Sequence, residues 1–102
     1  MKKYKTKIQG LILIESKKFF DERGYFFESY NEKIYSEIGI KNKFLQDNFS
    51  ISKKNVLRGL HYQKKNPQGK LISVIKGSIL DIAVDIRKNS KSYGKYESFF
   101  LS

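Results

Sequence analysis

The sequence predicts an all-β protein, an antiparallel sandwich or barrel, and three observations support this fold class. Short apolar segments recur at close spacing, with glycine, asparagine, aspartate and serine between them. Segments 44–52 and 78–87 alternate apolar and polar residues, as strands with one buried face do. Only segment 32–38 is typical of a helix. With 102 residues, the chain is expected to form a single domain over residues 1–102.

The first part of the chain predicts two strands and a helix. Segment 2–7 is a basic start, 11–14 a short apolar strand, 16–23 a polar stretch that ends in a turn at 21–24, and 25–29 an aromatic strand. Asn31 is the expected N-cap of a helix over 32–38, which Gly39 ends. Ile34 and Ile38 would form the buried stripe of this helix.

The second part of the chain predicts five strands, at 44–52, 56–63, 70–76, 78–87 and 96–101. Residues 77–78 form a tight link and residues 89–94 a turn. The last strand carries Phe99, Phe100 and Leu101, for which the sequence offers no obvious partner strand. Because an antiparallel barrel closes its edges, we expect the sheet to be unfinished on this side.

Composition and charge limit the classes of partner. The net charge is +11, but only three of the 21 basic residues are arginines, and the lysines are scattered through every segment. Scattered lysine is typical of a solvated surface, so a nucleic-acid partner is not expected. Without cysteine there is no disulfide, thiolate or zinc–sulfur site, as in a reducing cytoplasm. No apolar run is long enough to span a membrane.

The segment around the only histidine, His61, is the strongest candidate for chemistry. Strict strand alternation would place Arg58 and His61 on opposite faces, whereas a bulge at Gly59 would bring both to one face. A histidine can act as a general base at neutral pH, and Arg58 and Lys70 would favour its neutral form. The two cations could also stabilise an enolate or hold a phosphate. The combination suits removal of a proton next to a carbonyl.

Two further polar pairs leave alternatives open. Gln46 and Asn48 share one face of their predicted strand, where they could bind a base or sugar or could be ordinary surface amides. Asp81 and Asp85 also share a face, and they are either an acid/base pair or partners in structural ion pairs.

Five blocks of residues, taken together and in order, resemble the dTDP-4-dehydrorhamnose 3,5-epimerase family. The blocks are D-x-R-G-x-F-x-E at 21–28, Q-D-N-x-S at 46–50, L-R-G-L-H-Y-Q at 57–63, Q-G-K-L at 68–71 and G-x-x-x-D-x-x-x-D-x-R at 77–87. The resemblance implies a cupin, which is an antiparallel jelly-roll barrel, here incomplete at the C-terminal side and with one short helix. It also implies that residues 1–102 are the N-terminal portion of a longer family domain, cytoplasmic, and a homodimer if that domain is complete.

The resemblance assigns roles residue by residue. His61 matches the family's proton acceptor, and Lys70 matches the lysine near the keto oxygen. The residues that match substrate contacts are Arg23 and Arg58, on the diphosphate, and Glu28, Gln46 and Asn48, towards the thymidine. The implied reaction inverts carbons 3 and 5 of dTDP-4-keto-6-deoxyglucose, in the biosynthesis of dTDP-L-rhamnose. Since the ketone acidifies both carbons, no cofactor is expected.

The comparison with cupins also predicts that no metal is bound. Metal-binding cupins hold H-x-H followed by a glutamate, whereas this chain has His61-x-Gln63 and then Lys70. A histidine, an amide and an ammonium are a poor ligand set for a divalent ion.

The resemblance leaves three alternatives to an active epimerase. The family's proton-donor tyrosine, a second substrate histidine and the aspartate that orients the base lie in its second half, without counterparts here. Tyr62, Tyr93 and Tyr96 stand outside the tyrosine motif. The chain could instead be a non-catalytic nucleotide-sugar-binding cupin fragment or a related cupin keto-sugar isomerase. A nucleic-acid-binding β-barrel is favoured by charge alone.

Overall fold

A computed structural model describes all 102 residues as three antiparallel strand pairs and one short helix. The elements are β1 Lys2–Lys5, β2 Ile12–Glu15, β3 Lys18–Asp21, β4 Gly24–Phe27, α1 Glu32–Glu37, β5 Ile79–Val84 and β6 Tyr96–Leu101. Each sheet has two strands, β1 with β2, β3 with β4, and β5 with β6, so no barrel is closed. No helix has the length and apolar character needed to cross a membrane.

The strand pairs confirm the predictions that depend on local sequence. The turn expected at 21–24 joins β3 to β4, with Asp21 paired to Gly24 across the register. The strands predicted at 11–14, 25–29 and 78–87 are present as β2, β4 and β5 with shifted bounds, and the one at 96–101 is β6. A two-residue connection and a glycine with φ of +131° explain why the β3–β4 hairpin forms locally.

Two strands were missed because their side chains do not alternate in polarity. The sequence predicts a basic start at 2–7 and a polar stretch at 16–23, whereas the structure has β1 and β3 there. Both strands are exposed along their whole length. Three of the four residues of β1 are lysines, and β3 has two adjacent phenylalanines between charged residues, so neither strand shows the alternation that sequence patterns detect. Pairing with the more apolar β2 and β4 makes them strands nonetheless.

Helix α1 begins as expected. The side chain of Asn31 accepts a hydrogen bond from the Ile34 N–H at 3.2 Å, which satisfies one of the free donors of the first turn. Gly39 follows the helix with φ of +91°, a conformation that glycine adopts without steric cost.

The buried residue of α1 is Tyr35, so the predicted stripe of Ile34 and Ile38 was wrong. Tyr35 is 3% exposed, whereas the two isoleucines are half-buried. Its hydroxyl donates to the Ser29 carbonyl at 3.1 Å, and its ring meets that of Tyr30 edge-on, with centroids 5.0 Å apart. A helix of six residues presents less than two turns, and the larger aromatic side chain takes the one covered position.

The central segment, residues 40–78, contradicts the predicted strands at 44–52, 56–63 and 70–76, because no strand is present there. Within residues 41–78 a single backbone–backbone hydrogen bond forms, from the Val56 N–H to the Lys53 carbonyl at 3.4 Å. The whole chain has 27 such bonds, against roughly 70 for a folded domain of this size. Alternating sequence becomes a strand only when a neighbouring strand takes its hydrogen bonds, and the strands that formed have partners close in sequence.

Little of the chain is buried. Four residues are buried, namely Ile8, Tyr35, Asp85 and Ser92. The accessible surface is 9901 Å², whereas a folded monomer of 12.0 kDa exposes about 6,000 Å². The radius of gyration, 15.2 Å, exceeds the ~13 Å of a compact domain of 100 residues. The strand pairs therefore form an open shell without a filled core.

The best-satisfied polar group is the buried carboxylate of Asp85, directly after β5. It accepts hydrogen bonds from Arg87 Nε at 2.8 Å, Ser90 Oγ at 2.5 Å and Ser92 Oγ at 2.6 Å. Arg87 Nη2 also donates to the Gln9 carbonyl at 2.8 Å. This cluster fixes the long β5–β6 turn and ties the N-terminal loop to it. It also decides the alternative left open for Asp85 in favour of a structural ion pair.

The Asp85 cluster predicts that the β5–β6 turn loosens in acid. Hydrogen bonds from Arg87, then Ser90 and Ser92, hold the pKa of Asp85 well below its ordinary value of 3.8. A carboxyl whose pKa is lowered by folding stabilises the fold fully above its unfolded pKa, and this stabilisation decreases as the pH falls towards the folded value. Hydrogen-exchange protection of the Gly94 amide, which donates to the Asp85 carbonyl, should therefore decline below about pH 4.

The matched variants for this measurement are Asp85→Asn and Asp81→Asn. The first should lower Gly94 protection at neutral pH and remove the acid response, because the amide neither ionises nor accepts as strongly. The second should keep both, since Asp81 lies within β5 and takes no part in the cluster. An unchanged acid response in Asp85→Asn would contradict the assignment.

Candidate functional site

The seven candidate residues lie on two parts of the chain, and all are exposed. Arg23 and Glu28 lie in the β3–β4 turn and just after β4. The other five lie on the central segment, and they are Gln46, Asn48, Arg58, His61 and Lys70. The residues expected to carry the chemistry therefore lie on the part of the chain with the fewest backbone hydrogen bonds.

The imidazole of His61 lies close to the position that a side chain at Gly59 would occupy. A Cβ atom added to Gly59 would come 3.7 Å from His61 Nδ1, and Gly59 has φ of +109°. This conformation is unfavourable for any residue with a side chain. The irregularity expected at Gly59 is therefore present, although it is not a bulge, because no strand pair surrounds it.

The two candidate arginines have different partners. Arg58 donates from Nε to Ser52 Oγ at 2.9 Å and from Nη2 to the Ile51 carbonyl at 3.4 Å. Arg23 forms an ion pair with Asp21, with Nη2 to Oδ2 at 2.6 Å, and these hydrogen bonds lower the pKa of Asp21. Arg58 therefore has no carboxylate partner, whereas Arg23 has one.

The amide and carboxylate candidates make short local contacts. Gln46 Nε2 donates to Asn48 Oδ1 at 3.0 Å, so the structure brings together the two residues predicted to share a face. Glu28 accepts a hydrogen bond from Asn31 Nδ2 at 3.1 Å, which links it to the N-cap of α1. These contacts leave at least one polar atom of each side chain available to a ligand.

The three residues expected to carry the proton transfer do not contact one another through polar groups. No hydrogen bond or ion pair joins Arg58, His61 and Lys70 to one another, and His61 donates to no carboxylate. That these three face one cavity remains a prediction.

The sequence analysis missed the role of Ser90 and Ser92, which bind the Asp85 carboxylate. The pattern D-x-R-x-x-S-x-S at 85–92 places hydroxyl groups where they can form local hydrogen bonds in a turn.

A large open cavity lies elsewhere, and we call it the shell groove. It has a volume of about 1140 Å³ and is lined by residues of β1 to β4, residues 72–75 and the end of β6. Its lining is mostly apolar or aromatic and contains none of the seven candidate residues. The residues are Met1, Lys2, Tyr4, Leu13, Ile14, Glu15, Ser16, Lys17, Lys18, Phe20, Tyr25, Phe27, Ile72, Ser73, Val74, Ile75, Phe100, Leu101 and Ser102.

Comparison with known sequences points to one family. The family model described as dTDP-4-dehydrorhamnose 3,5-epimerase matches residues 5–102. Curated relatives of that name include the protein of Methanothermobacter thermautotrophicus, 53% identical over 98 residues, and that of Salmonella typhimurium, 53% identical over 100 residues. These matches cover 96% of this chain but 53% and 55% of the two relatives. The chain spans about half the length of the curated relatives it matches.

Solved structures of two 3,5-epimerases closely resemble the fold of this chain. The dTDP-6-deoxy-D-glucose-3,5-epimerase of Legionella pneumophila, in complex with dTDP-4-keto-L-rhamnose, has a TM-score of 0.94 and 50% identity. The dTDP-4-dehydrorhamnose 3,5-epimerase of Bacillus anthracis, with TDP and pyrophosphate bound, has a TM-score of 0.94 and 40% identity. Each match covers 99% of this chain, and 54% and 59% of those proteins. The likeness confirms the predicted antiparallel, cupin-like class.

The side chains of His61, Gln63 and Lys70 predict that the purified protein binds no divalent metal in stoichiometric amount. No group of three histidine, aspartate or glutamate side chains in the chain is placed to hold an ion. His61 and Gln63 with Lys70 would offer one imidazole and one amide beside an ammonium. Elemental analysis after dialysis should find well below one zinc, iron or manganese per chain. A full equivalent that is lost in His61→Asn and kept in Gln63→Ala would contradict this.

Proposed function

Because the chain belongs to the dTDP-4-dehydrorhamnose 3,5-epimerase family, we propose that it carries the base-bearing part of such an epimerase. The substrate would be dTDP-4-keto-6-deoxyglucose, inverted at carbons 3 and 5. The observation that carries the proposal is the match over residues 5–102, a range that contains all seven candidate residues. A relative with 50% identity that holds dTDP-4-keto-L-rhamnose supports the same class of ligand.

In the proposed reaction, His61 removes the proton from a carbon next to the ketone. The electron pair of the broken C–H bond moves into the carbon–carbon bond, and charge develops on the keto oxygen as an enolate forms. The ammonium of Lys70 would stabilise that oxygen, which is the electrostatic contribution that matters most in such steps. Reprotonation from the opposite face of the same carbon completes the inversion, so a second proton donor is required.

The remaining candidates would bind the nucleotide portion. The guanidinium groups of Arg58 and Arg23 suit the two phosphates, because their planar forks bind oxyanions bidentately. Glu28, Gln46 and Asn48 offer acceptor and donor atoms for the thymidine. A homodimer formed through the sheets and a cytoplasmic location complete the proposal, and both follow from the family resemblance.

A non-catalytic nucleotide-sugar-binding module is the second candidate function. Its support is that no carboxylate forms an ion pair with His61, since a catalytic histidine is generally oriented by such a group. Such a module would bind dTDP-sugar with no exchange of carbon-bound protons. Exchange therefore separates the two candidates, and product analysis separates the epimerase from a keto-sugar isomerase.

The 102-residue chain is expected to exchange substrate protons with solvent better than it inverts carbons. No tyrosine of the chain matches the family's proton donor, so reprotonation would fall to water. Since general acid catalysis contributes ~10²–10⁴-fold, inversion should be that much slower than in a full-length relative. The measurement is deuterium incorporation at carbons 3 and 5, by NMR, beside the yield of inverted product. His61→Asn should abolish incorporation, with Gln63→Ala as the control that keeps it. Inversion at the full-length rate would contradict the fragment interpretation.

Lys70→Met is predicted to slow deuterium incorporation by at least tenfold, because the enolate oxygen loses its cation. The matched control is Lys65→Met, which removes an equally exposed lysine from the same segment and should change incorporation less than twofold. Binding of dTDP should be similar in both variants, since in this proposal Lys70 acts on the sugar and not on the nucleotide. Equal losses in the two variants would show that only the overall charge matters.

A further inference from the structure

An aromatic cluster of three side chains, Tyr35, Tyr30 and Phe44, connects helix α1 to the central segment. The ring of Tyr30 lies between the other two, with its centroid 5.0 Å from that of Tyr35 and 5.5 Å from that of Phe44. Both pairs meet edge-on, which is a favourable arrangement for aromatic rings at these separations. The cluster therefore attaches the start of the central segment to a helix that precedes it in the chain.

Tyr35 is the fixed end of the aromatic cluster. Its side chain is buried, and its hydroxyl donates to the Ser29 carbonyl at 3.1 Å. That carbonyl belongs to the peptide bond that leads into Tyr30, so the hydrogen bond also holds the backbone of Tyr30 next to α1. The Tyr35 carbonyl accepts a further hydrogen bond from the Ile40 N–H at 2.8 Å. Tyr35 is thus held through its side chain and through its backbone.

Phe44 is the one residue from 41 to 73 that is not exposed. The neighbouring Leu45 is 91% exposed and Phe49 is 70% exposed, so apolar character alone does not cover a side chain in this segment. The single backbone–backbone hydrogen bond of residues 41–78 lies further along, between Val56 and Lys53. The placement of the residues that follow Phe44 therefore depends on its contact with Tyr30.

Gln46 and Asn48 follow Phe44 at intervals of two residues. Gln46 Nε2 donates to Asn48 Oδ1 at 3.0 Å, so the two side-chain amides lie side by side. One residue, Leu45, separates Gln46 from the attached ring. Polar groups that are held in place before a ligand arrives bind it with a smaller loss of entropy than mobile groups do.

We propose that Tyr30 is a positioning residue for the nucleoside end of the ligand, because it holds Phe44 and thereby presents the amides of Gln46 and Asn48 to the thymidine. The inference rests on the proposed function, in which these two amides bind the thymidine. If the cluster opens, the segment occupies other conformations, and the apparent affinity falls with the fraction of chains in which the amides are in place.

The phosphate end of the ligand is held independently of the aromatic cluster. In the proposed function Arg58 binds a phosphate, and its guanidinium donates to Ser52 Oγ at 2.9 Å and to the Ile51 carbonyl at 3.4 Å. These contacts lie within residues 51–58 and involve none of the three rings. Tyr30 should therefore contribute to recognition of the nucleoside and not of the diphosphate.

The experiment compares dTDP with inorganic pyrophosphate, which lacks the nucleoside, by calorimetric titration of the 102-residue chain. Tyr30→Leu removes two aromatic pairs, each equivalent to roughly a two- to twelvefold change in an equilibrium, so its affinity for dTDP should fall about tenfold. Its affinity for pyrophosphate should change less than twofold. Tyr30→Phe preserves both ring contacts and should keep both affinities.

The matched control is Tyr93→Leu, which removes an exposed aromatic ring from the β5–β6 turn and should leave both affinities unchanged. Tyr30 is itself 37% exposed, so Tyr30→Leu does not empty a fully buried position.

A second measurement requires no ligand. In NMR relaxation of the free chain, Tyr30→Leu should lower the backbone order parameters of Gln46 and Asn48 to the flexible range, below about 0.6. Tyr30→Phe should restore them to the values of the parent chain. The order parameter of the Gly94 amide, which donates to the Asp85 carbonyl, should be the same in all variants and shows that the strand pairs remain folded.

Two results would overturn the proposal. The first is an equal loss of affinity for dTDP and pyrophosphate in Tyr30→Leu, because Tyr30 would then support the fold as a whole. The second is an unchanged order parameter at both Gln46 and Asn48. If the parent chain binds no dTDP, the proposed function fails, and the order parameters still decide whether Tyr30 positions the two amides.

Discussion

Pairing of backbone groups between strands is the constraint on which this structure depends. Strand pairs form where the partner is near in sequence, as in the two-residue turn between β3 and β4. The β5–β6 pair bridges a longer turn, and there the buried carboxylate of Asp85 supplies the hydrogen bonds that fix the turn. Residues 41–78 have neither a partner strand close in sequence nor a buried carboxylate that fixes a turn, and they form one backbone–backbone hydrogen bond. Loop closure over a longer distance has an entropic cost that only a complete sheet offsets.

This constraint bears directly on catalysis, because the proposed base and its cation lie on the unpaired segment. Proton transfer requires heavy atoms within hydrogen-bond reach of the substrate, and a displacement of about 1 Å can cost roughly a hundredfold in rate. A Cβ atom at Gly59 would lie 3.7 Å from His61 Nδ1, and no ion pair orients the imidazole. The proposed base and its cation therefore lie where the fewest backbone hydrogen bonds hold the chain in place.

The sequence predicts the elements whose determinants are local, and it fails where they are not. The N-cap at Asn31 and the turn at 21–24 depend on neighbouring residues, and the strand at 96–101 pairs with the strand that precedes it in the chain. The structure contains all three. The strands at 44–52, 56–63 and 70–76 have the right alternation, but a strand is a property of two segments, and their partners are not neighbours in sequence. The charged strand β1 shows the converse, since pairing with β2 overrides its polarity. The identities of the site residues come from motifs, whereas their mutual geometry depends on these long-range pairs.

The hydrogen bonds of the three arginines show which of them is free to bind a phosphate group. Arg87 is bound to the buried carboxylate of Asp85 and is fully committed to the β5–β6 turn. Arg23 pairs with Asp21 at the surface, where an ion pair is weak enough for a diphosphate to compete with it. Arg58 alone contacts only neutral oxygens, of Ser52 and Ile51, and its charge is not compensated within the chain. A dianionic ligand would therefore gain most from Arg58, which also stands three residues from His61 in sequence. In the proposed function, Arg58 is therefore a stronger candidate than Arg23 for binding the phosphates.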